Sequence, residues 1–149
     1  MVDVSGKTAT RRLAQVEGYL CLSSEAVIAL EKDALAKGDP FTVAKIAGIL
    51  GAKRTSELIP LCHPLPIEHV EMTFQLQPQF ERIRVLAETV TTSKTGIELE
   101  AFTAATVALL SLYDMIKAVD PAASITGVRL LKKTGGKSIY AKEKTCALP

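Results

Sequence analysis

Apolar residues alternate with polar ones at several places along the chain, and elsewhere they recur at three and four residues. From Leu13 to Leu22, Ala14, Val16, Leu20 and Leu22 alternate with Gln15, Glu17, Tyr19 and Cys21, which predicts a strand with one buried face. Ser23 or Ser24 then caps a helix running to about Lys37. The run "KGDP" supplies a glycine stop, Asp39 as N-cap and Pro40 at the first position of a second helix reaching about Arg54. In that helix Val43, Ile46, Ala47, Ile49 and Leu50 form one stripe, expected to face the core. Val70, Met72, Phe74 and Leu76 alternate strictly with Glu71, Thr73, Gln75 and Gln77, a second strand. A turn at "QPQFE" joins it to a third over Arg82 to Thr92, forming an antiparallel hairpin. Gly96 to Val119 predicts a long helix closed by Asp120-Pro121, and Val128 to Leu131 a last short strand ahead of "KKTGGKS". The order predicts an α+β, ferredoxin-like split β-α-β fold, an antiparallel sheet with helices packed on one face. A single domain is expected over residues 1–149, with a flexible tail after about residue 138.

Composition narrows the classes of function. Hydrophobic residues make up 48% of the chain and mean hydropathy is +0.22, apolar enough to predict surface buried against other copies. Eighteen Lys and Arg against sixteen Asp and Glu leave +2, far from the dense basic face of a nucleic-acid binder, so attraction to anions must be local. Three cysteines, Cys21, Cys62 and Cys146, with no CxxC spacing speak against a disulfide framework or structural zinc. The charged start "MVDVSGKTATRR" lacks the apolar core of a signal peptide, and the uncharged run Ala101 to Tyr113 is too short to span a bilayer. A cytoplasmic protein without membrane attachment is expected.

Several stretches carry candidate chemistry. "ELIPLCHPLPIEH", Glu57 to His69, reads as Cys-His nucleophilic catalysis, as a metal site of Cys62, His63 and His69, or as a proline-stiffened loop presenting groups to a ligand. Adjacent side chains rarely point the same way, which favours the rigid loop. Asp114 and Lys117 lie on one helix face, as a solvent-facing ion pair or as an acid/base pair in a cleft. "KKTGGKS" sets glycines between lysines, as a phosphate loop or a plain basic turn, and it lacks the Walker A spacing. Lys37 poses the same choice ahead of a helix N-terminus.

Helix geometry adds a constraint. At about 100° per residue Glu100 lies within roughly 40° of Asp114 around the axis but about 21 Å away along it. Two copies packed antiparallel about a two-fold axis near Val107, across Thr103, Ala104, Val107 and Ser111, would bring them together.

Four stretches together, "MVDVS", "KGDPFTVAKIAGILGAKRTSELIPLCHPLPI", "KTGIELEAFTAATVALLSLYDMIKAVD" and "VRLLKKTGGKS", closely resemble the molybdenum cofactor biosynthesis protein C family over Met1 to about Ser138. The resemblance implies an enzyme, a lyase converting a cyclised dihydro-GTP to cyclic pyranopterin monophosphate with loss of pyrophosphate. It implies a radical SAM GTP cyclase as the functional partner upstream. It also implies a homohexamer, a trimer of dimers with sites at the dimer interface, and no required cofactor beyond magnesium that could accompany the triphosphate. By position, Asp114 and Lys117 match the family's catalytic pair. Leu61, Cys62, His63, Leu99 and Glu100 match its substrate-binding residues, and Arg12, Lys37, Glu98, Lys133 and Lys137 fall on site-associated positions. Two rivals remain open: a non-catalytic nucleotide-binding module and a metallohydrolase built on Cys62, His63 and His69. The chain departs from the family pattern at Pro121-Ala122-Ala123 and at Ile139.

Overall fold

The computed structural model describes residues 1–136 and 139–141. Strand β1 spans Thr10–Cys21, and helices α1 (Ser24–Glu31), α2 (Pro40–Lys53) and the short α3 (Thr55–Leu58) follow. Strands β2 (His69–Gln77) and β3 (Arg82–Ser93) then precede helix α4 (Glu98–Ile116), strand β4 (Ser124–Thr134) and the two-residue β5 (Tyr140–Ala141). The sheet order is β2-β3-β1-β4-β5, with every neighbouring pair antiparallel. Each helical crossover leaves room for a strand inserted between the two it joins, which is the predicted ferredoxin-like split β-α-β arrangement.

Alternation fixes the register. Val16 opposes Ala87 and Leu20 opposes Ile83, and these residues face α4 with Ala101, Ala105, Leu109, Leu112 and Ile116 in one buried cluster. By length and composition α4 could cross a membrane, at a mean hydropathy of 1.4. Its buried side instead packs on the sheet and on α2. Gly18 faces α4, where a Cβ would crowd Leu109 and Val128, so Glu17 points to the opposite side of the sheet. There it is fully buried between Arg84, at 2.8 Å, and Arg129. Burial alone would raise its carboxyl pKa, but the two guanidinium groups outweigh it and hold Glu17 below the usual carboxylate range.

The structure corrects several expectations. The first helix stops at Glu31, not Lys37, because Asp33 adopts a left-handed φ of 50° and Leu35 turns into the core. Lys37 therefore sits on a loop. The long helix is shorter than predicted at both ends, β4 extends well beyond Val128 to Leu131, and α3 and β5 lay outside the periodic pattern. The largest correction concerns α2. Its buried residues are Pro40, Ala44, Gly48, Gly51 and Ala52, whereas Val43, Ile46 and Leu50 are 42%, 56% and 49% exposed. Only Ile49 of the predicted stripe packs against the core. Small residues win because they let α2 lie directly on α4: a Cβ at Gly48 would sit 2.9 Å from the carbonyl oxygen of Ala104, and one at Gly51 would sit 2.9 Å from Val107.

Candidate active site

The predicted site residues gather at the two ends of α4. At the C-terminal end Asp114 lies between two ammonium groups: Lys117 approaches Oδ1 at 2.8 Å and Lys37 approaches Oδ2 at 2.6 Å. Lys37 also donates to the main-chain oxygen of Asp114 at 2.9 Å. The early end of α1 makes this possible, since the loop that follows carries Lys37 to the helix terminus. Hydrogen bonds from Lys117 and then Lys37 hold the Asp114 carboxyl down to about 2, and the same bond raises the proton affinity of Lys117. Two ammonium groups on one carboxylate leave a local positive charge.

At the N-terminal end the proline-rich loop is pinned to β3. Glu68 N–H donates to Val90 at 2.9 Å, and Thr91 Oγ1 donates to the Pro66 carbonyl at 2.6 Å. The anchoring fits a proline-stiffened loop, because prolines fix torsions and the few available hydrogen bonds anchor the ends. Cys62 Sγ approaches Oε1 of Glu100 at 3.7 Å and the backbone oxygen of His63 at 3.6 Å. Glu100 is 3% exposed, and its Oε2 has no hydrogen-bond partner. Burial pushes the Glu100 carboxyl above its usual range despite the thiol beside it. Burial, followed by the neighbouring Glu100, pushes the Cys62 thiol up to about 11, so at neutral pH Cys62 is a thiol and not a nucleophilic thiolate. Among the described residues no three His, Cys, Asp or Glu side chains come together as a ligand cluster, and Cys62, His63 and His69 do not form one.

Cys62, His63, Leu61 and Leu99 line an open cavity of ≈ 570 Å³ with Gly96, Lys7 and the N-terminal segment around Val2 and Val4. Arg12, Glu98 and Lys133 meet in a small adjoining cleft, where Lys133 pairs with Glu98 at 3.1 Å. Glu98 is the first residue of α4 and points to the β4 side, away from Asp114. Lys137 lies outside the described residues.

A single chain thus keeps the two groups apart, because Glu100 and Asp114 remain about 21 Å apart along one helix. The expected small-residue contact near Val107 takes a different form. Ala104 and Val107 are already packed against Gly48 and Gly51 of α2 in the same chain. The outward stripe of α4 runs instead through Leu99, Thr106, Leu110, Asp114 and Lys117. Periodicity gave no sign of Lys7, Lys94 or Thr95, which line cavities at this end. Each is a polar residue in a loop or at an element end, and only the fold brings them together.

Comparison with known proteins identifies the family. A family model described as MoaC matches residues 1–136. The chain is 50% identical to a cyclic pyranopterin monophosphate synthase of Corynebacterium efficiens, over 93% of this chain and 88% of that protein. It is 46% identical to a protein of the same name from Clostridium botulinum, over 93% and 87%. It is also 50% identical to a molybdenum cofactor biosynthesis bifunctional protein of Synechococcus elongatus, of which it spans 43%. With the match running from the N-terminal segment through the glycine turn after β4, the chain belongs to the MoaC family.

Proposed function

We propose that this chain converts a cyclised dihydro-GTP to cyclic pyranopterin monophosphate with release of pyrophosphate, an early step of molybdenum cofactor biosynthesis. The observation carrying this reading is the Lys37–Asp114–Lys117 cluster at the end of α4, in a chain that matches the family model from residue 1 to 136. Asp114 and Lys117 are assigned the proton transfers as the purine ring opens and the pterin closes. In the free protein Asp114 is held by Lys117 on one oxygen and Lys37 on the other, so ligand contacts must draw Lys117 from the carboxylate before a proton can move. The cyclic phosphate forms when a sugar hydroxyl attacks the α phosphorus. The bond to the bridging oxygen breaks, its electron pair leaves on pyrophosphate, and nearby cations stabilise that charge.

Leu61, Cys62, His63, Leu99 and Glu100 are assigned to ring and sugar binding, with Arg12, Glu98, Lys133 and Lys137 around them. The two groups are completed across a two-fold interface in a homohexamer, a trimer of dimers. The substrate comes from a radical SAM GTP cyclase in the cytoplasm, and no metal is required for chemistry. The test is to supply cyclised dihydro-GTP to purified protein, with and without a chelator, and to detect pyrophosphate and a pterin product. Lys117→Ala is expected to abolish turnover with an unchanged circular dichroism spectrum. Substantial residual turnover would remove Lys117 from the mechanism.

A further inference from the structure

On the helix-facing row of β3, Ile83, Val85 and Ala87 are apolar and belong to the core cluster, and the row then changes to Thr89 and Thr91, both fully buried. Valine would fill either position equally well by shape. What the threonines add is a hydroxyl, and each one reaches a main-chain carbonyl outside the sheet. Thr89 Oγ1 donates to the Ile97 carbonyl at 3.2 Å, and Thr91 Oγ1 donates to the Pro66 carbonyl at 2.6 Å. A buried hydroxyl or carbonyl left without its partner is costly, so these bonds hold both carbonyls in place.

The two carbonyls belong to the two segments that wall the cavity of Cys62 and His63. Ile97 precedes the first turn of α4 and makes no side-chain cap; its carbonyl accepts from Ala101 N–H at 3.3 Å as well as from Thr89. Thr89 therefore fixes where the turn carrying Leu99 and Glu100 begins. Pro66 closes the proline loop, and beyond it the Glu68 carboxylate accepts from Thr92 N–H at 3.1 Å and from Thr92 Oγ1 at 3.2 Å. Thr91 therefore fixes where the loop carrying Cys62 and His63 ends. Alternate residues of a strand stand about 7 Å apart, so β3 sets the spacing between loop and helix. Across that spacing Cys62 Sγ comes to 3.7 Å from Glu100 Oε1.

We propose that Thr89 and Thr91 are positioning residues of the candidate active site, whose buried hydroxyls hold the first turn of α4 and the proline loop at the separation that lets Cys62 and Glu100 meet. Being fully buried, they act through those segments and touch no ligand themselves. The assignment rests on the reading above that the loop and the first turn of α4 bind the ring and sugar of the substrate. It adds that the binding walls are aligned from beneath, by one strand. A wall displaced by about 1 Å is enough to spoil a productive geometry.

The test compares Thr89→Val and Thr91→Val, which lose the hydroxyl and keep the shape, with Thr89→Ser and Thr91→Ser, which keep it. Val85→Ala, a buried change on the same row but away from the cavity, serves as control. The first readout is the pH profile of Cys62 alkylation by iodoacetamide on the full-length protein, located by mass spectrometry. Burial and then Glu100 hold this thiol up to about 11, against an ordinary 9.0. Loosening either wall lowers it, so alkylation at about pH 8 is expected to quicken roughly ten-fold in each valine variant. The serine variants and Val85→Ala are expected to stay within about two-fold of the unsubstituted protein. The second readout is turnover of cyclised dihydro-GTP, where the valine variants raise KM about ten-fold and leave kcat within about two-fold. Should one valine variant not fold, the other decides. Unchanged alkylation in the valine variants, equal quickening in Val85→Ala, serine variants behaving as valine, kcat lost at constant KM, or failure of both valine variants to fold would each overturn the assignment. The expected alkylation pattern without turnover by the unsubstituted protein would sink the proposed reaction and leave the positioning role standing; turnover with alkylation indifferent to both hydroxyls would do the reverse.

Discussion

Two carboxylates of α4 are tuned in opposite directions. Asp114 is held low, to about 2, by its two lysines, and it in turn raises the proton affinity of Lys117. Asp114→Asn removes both the hydrogen bond and the charge that favour the ammonium form. The basic limb of the kcat/KM profile is therefore expected to move to lower pH if Lys117 acts protonated, along with a lower maximum. A basic limb that stays where it was would show that Lys117 does not set it. Glu100 is the reverse case: it is buried, with one oxygen unpartnered, and its carboxyl is raised above 4.5. A raised carboxyl stabilises the fold below the unfolded value, and that stability is lost as pH rises through the folded value. Glu100→Gln carries no charge to bury, so it is expected to raise the unfolding free energy by about 1 kcal/mol at neutral pH. The gain should vanish below pH 4.5, while activity falls. Denaturant melts at the two pH values check the sign.

At the scale of elements, what the sequence made legible depended on which periodicity decided the outcome. The strict alternation of Val70 to Leu76 gave a strand and its inward face, because a strand buried on one side has a single solution. In β1 the alternation of Ala14, Val16 and Leu20 gave the strand but not the single buried face expected, since Glu17 and Tyr19 on its other side are buried as well. The packing of α2 was not legible, since Val43, Ile46 and Leu50 are as apolar as core residues yet point outward, and hydrophobic spacing does not say which chain buries a stripe. The contact that sets α2 on α4 is made by Gly48 and Gly51, residues that add nothing to a hydrophobic pattern. Likewise Asp114 and Lys117 were legible as neighbours one turn apart, but Lys37 reaches them only because α1 stops at Glu31. Lys7 and Lys94 became visible only through the meeting of loops. Gly48→Ala weighs the two effects: alanine favours a helix by about 1 kcal/mol. Its Cβ, however, would stand 2.9 Å from the Ala104 carbonyl oxygen, 3.0 Å from Met72 and 3.2 Å from Ala108. Backbone must shift, so overpacking is expected to prevail, with a net loss of about 1–2 kcal/mol measured by urea unfolding. A gain in stability would mean that the helices have slack at this contact.

At the scale of the whole molecule, two observations bear on the proposed assembly. The helical layer turns Val43, Ile46 and Leu50 of α2 and Leu110 of α4 to the outside, which is an unusual use of large apolar side chains on an isolated domain. The candidate site is also divided: the buried Glu100 with Cys62 at one end of α4, and Asp114 with its lysines at the other. Joining the ends of two antiparallel copies would bury those side chains and assemble Glu100 of one protomer with Asp114 of its partner. Mixing inactive Glu100→Ala and Asp114→Ala proteins under exchange conditions tests this quantitatively. In a mixed pair one shared site carries both lesions and the other carries neither. Random pairing of equal amounts makes half the pairs mixed, so about a quarter of the unsubstituted activity is expected. If each site were complete within one chain, every site in the mixture would carry a lesion and no activity would return.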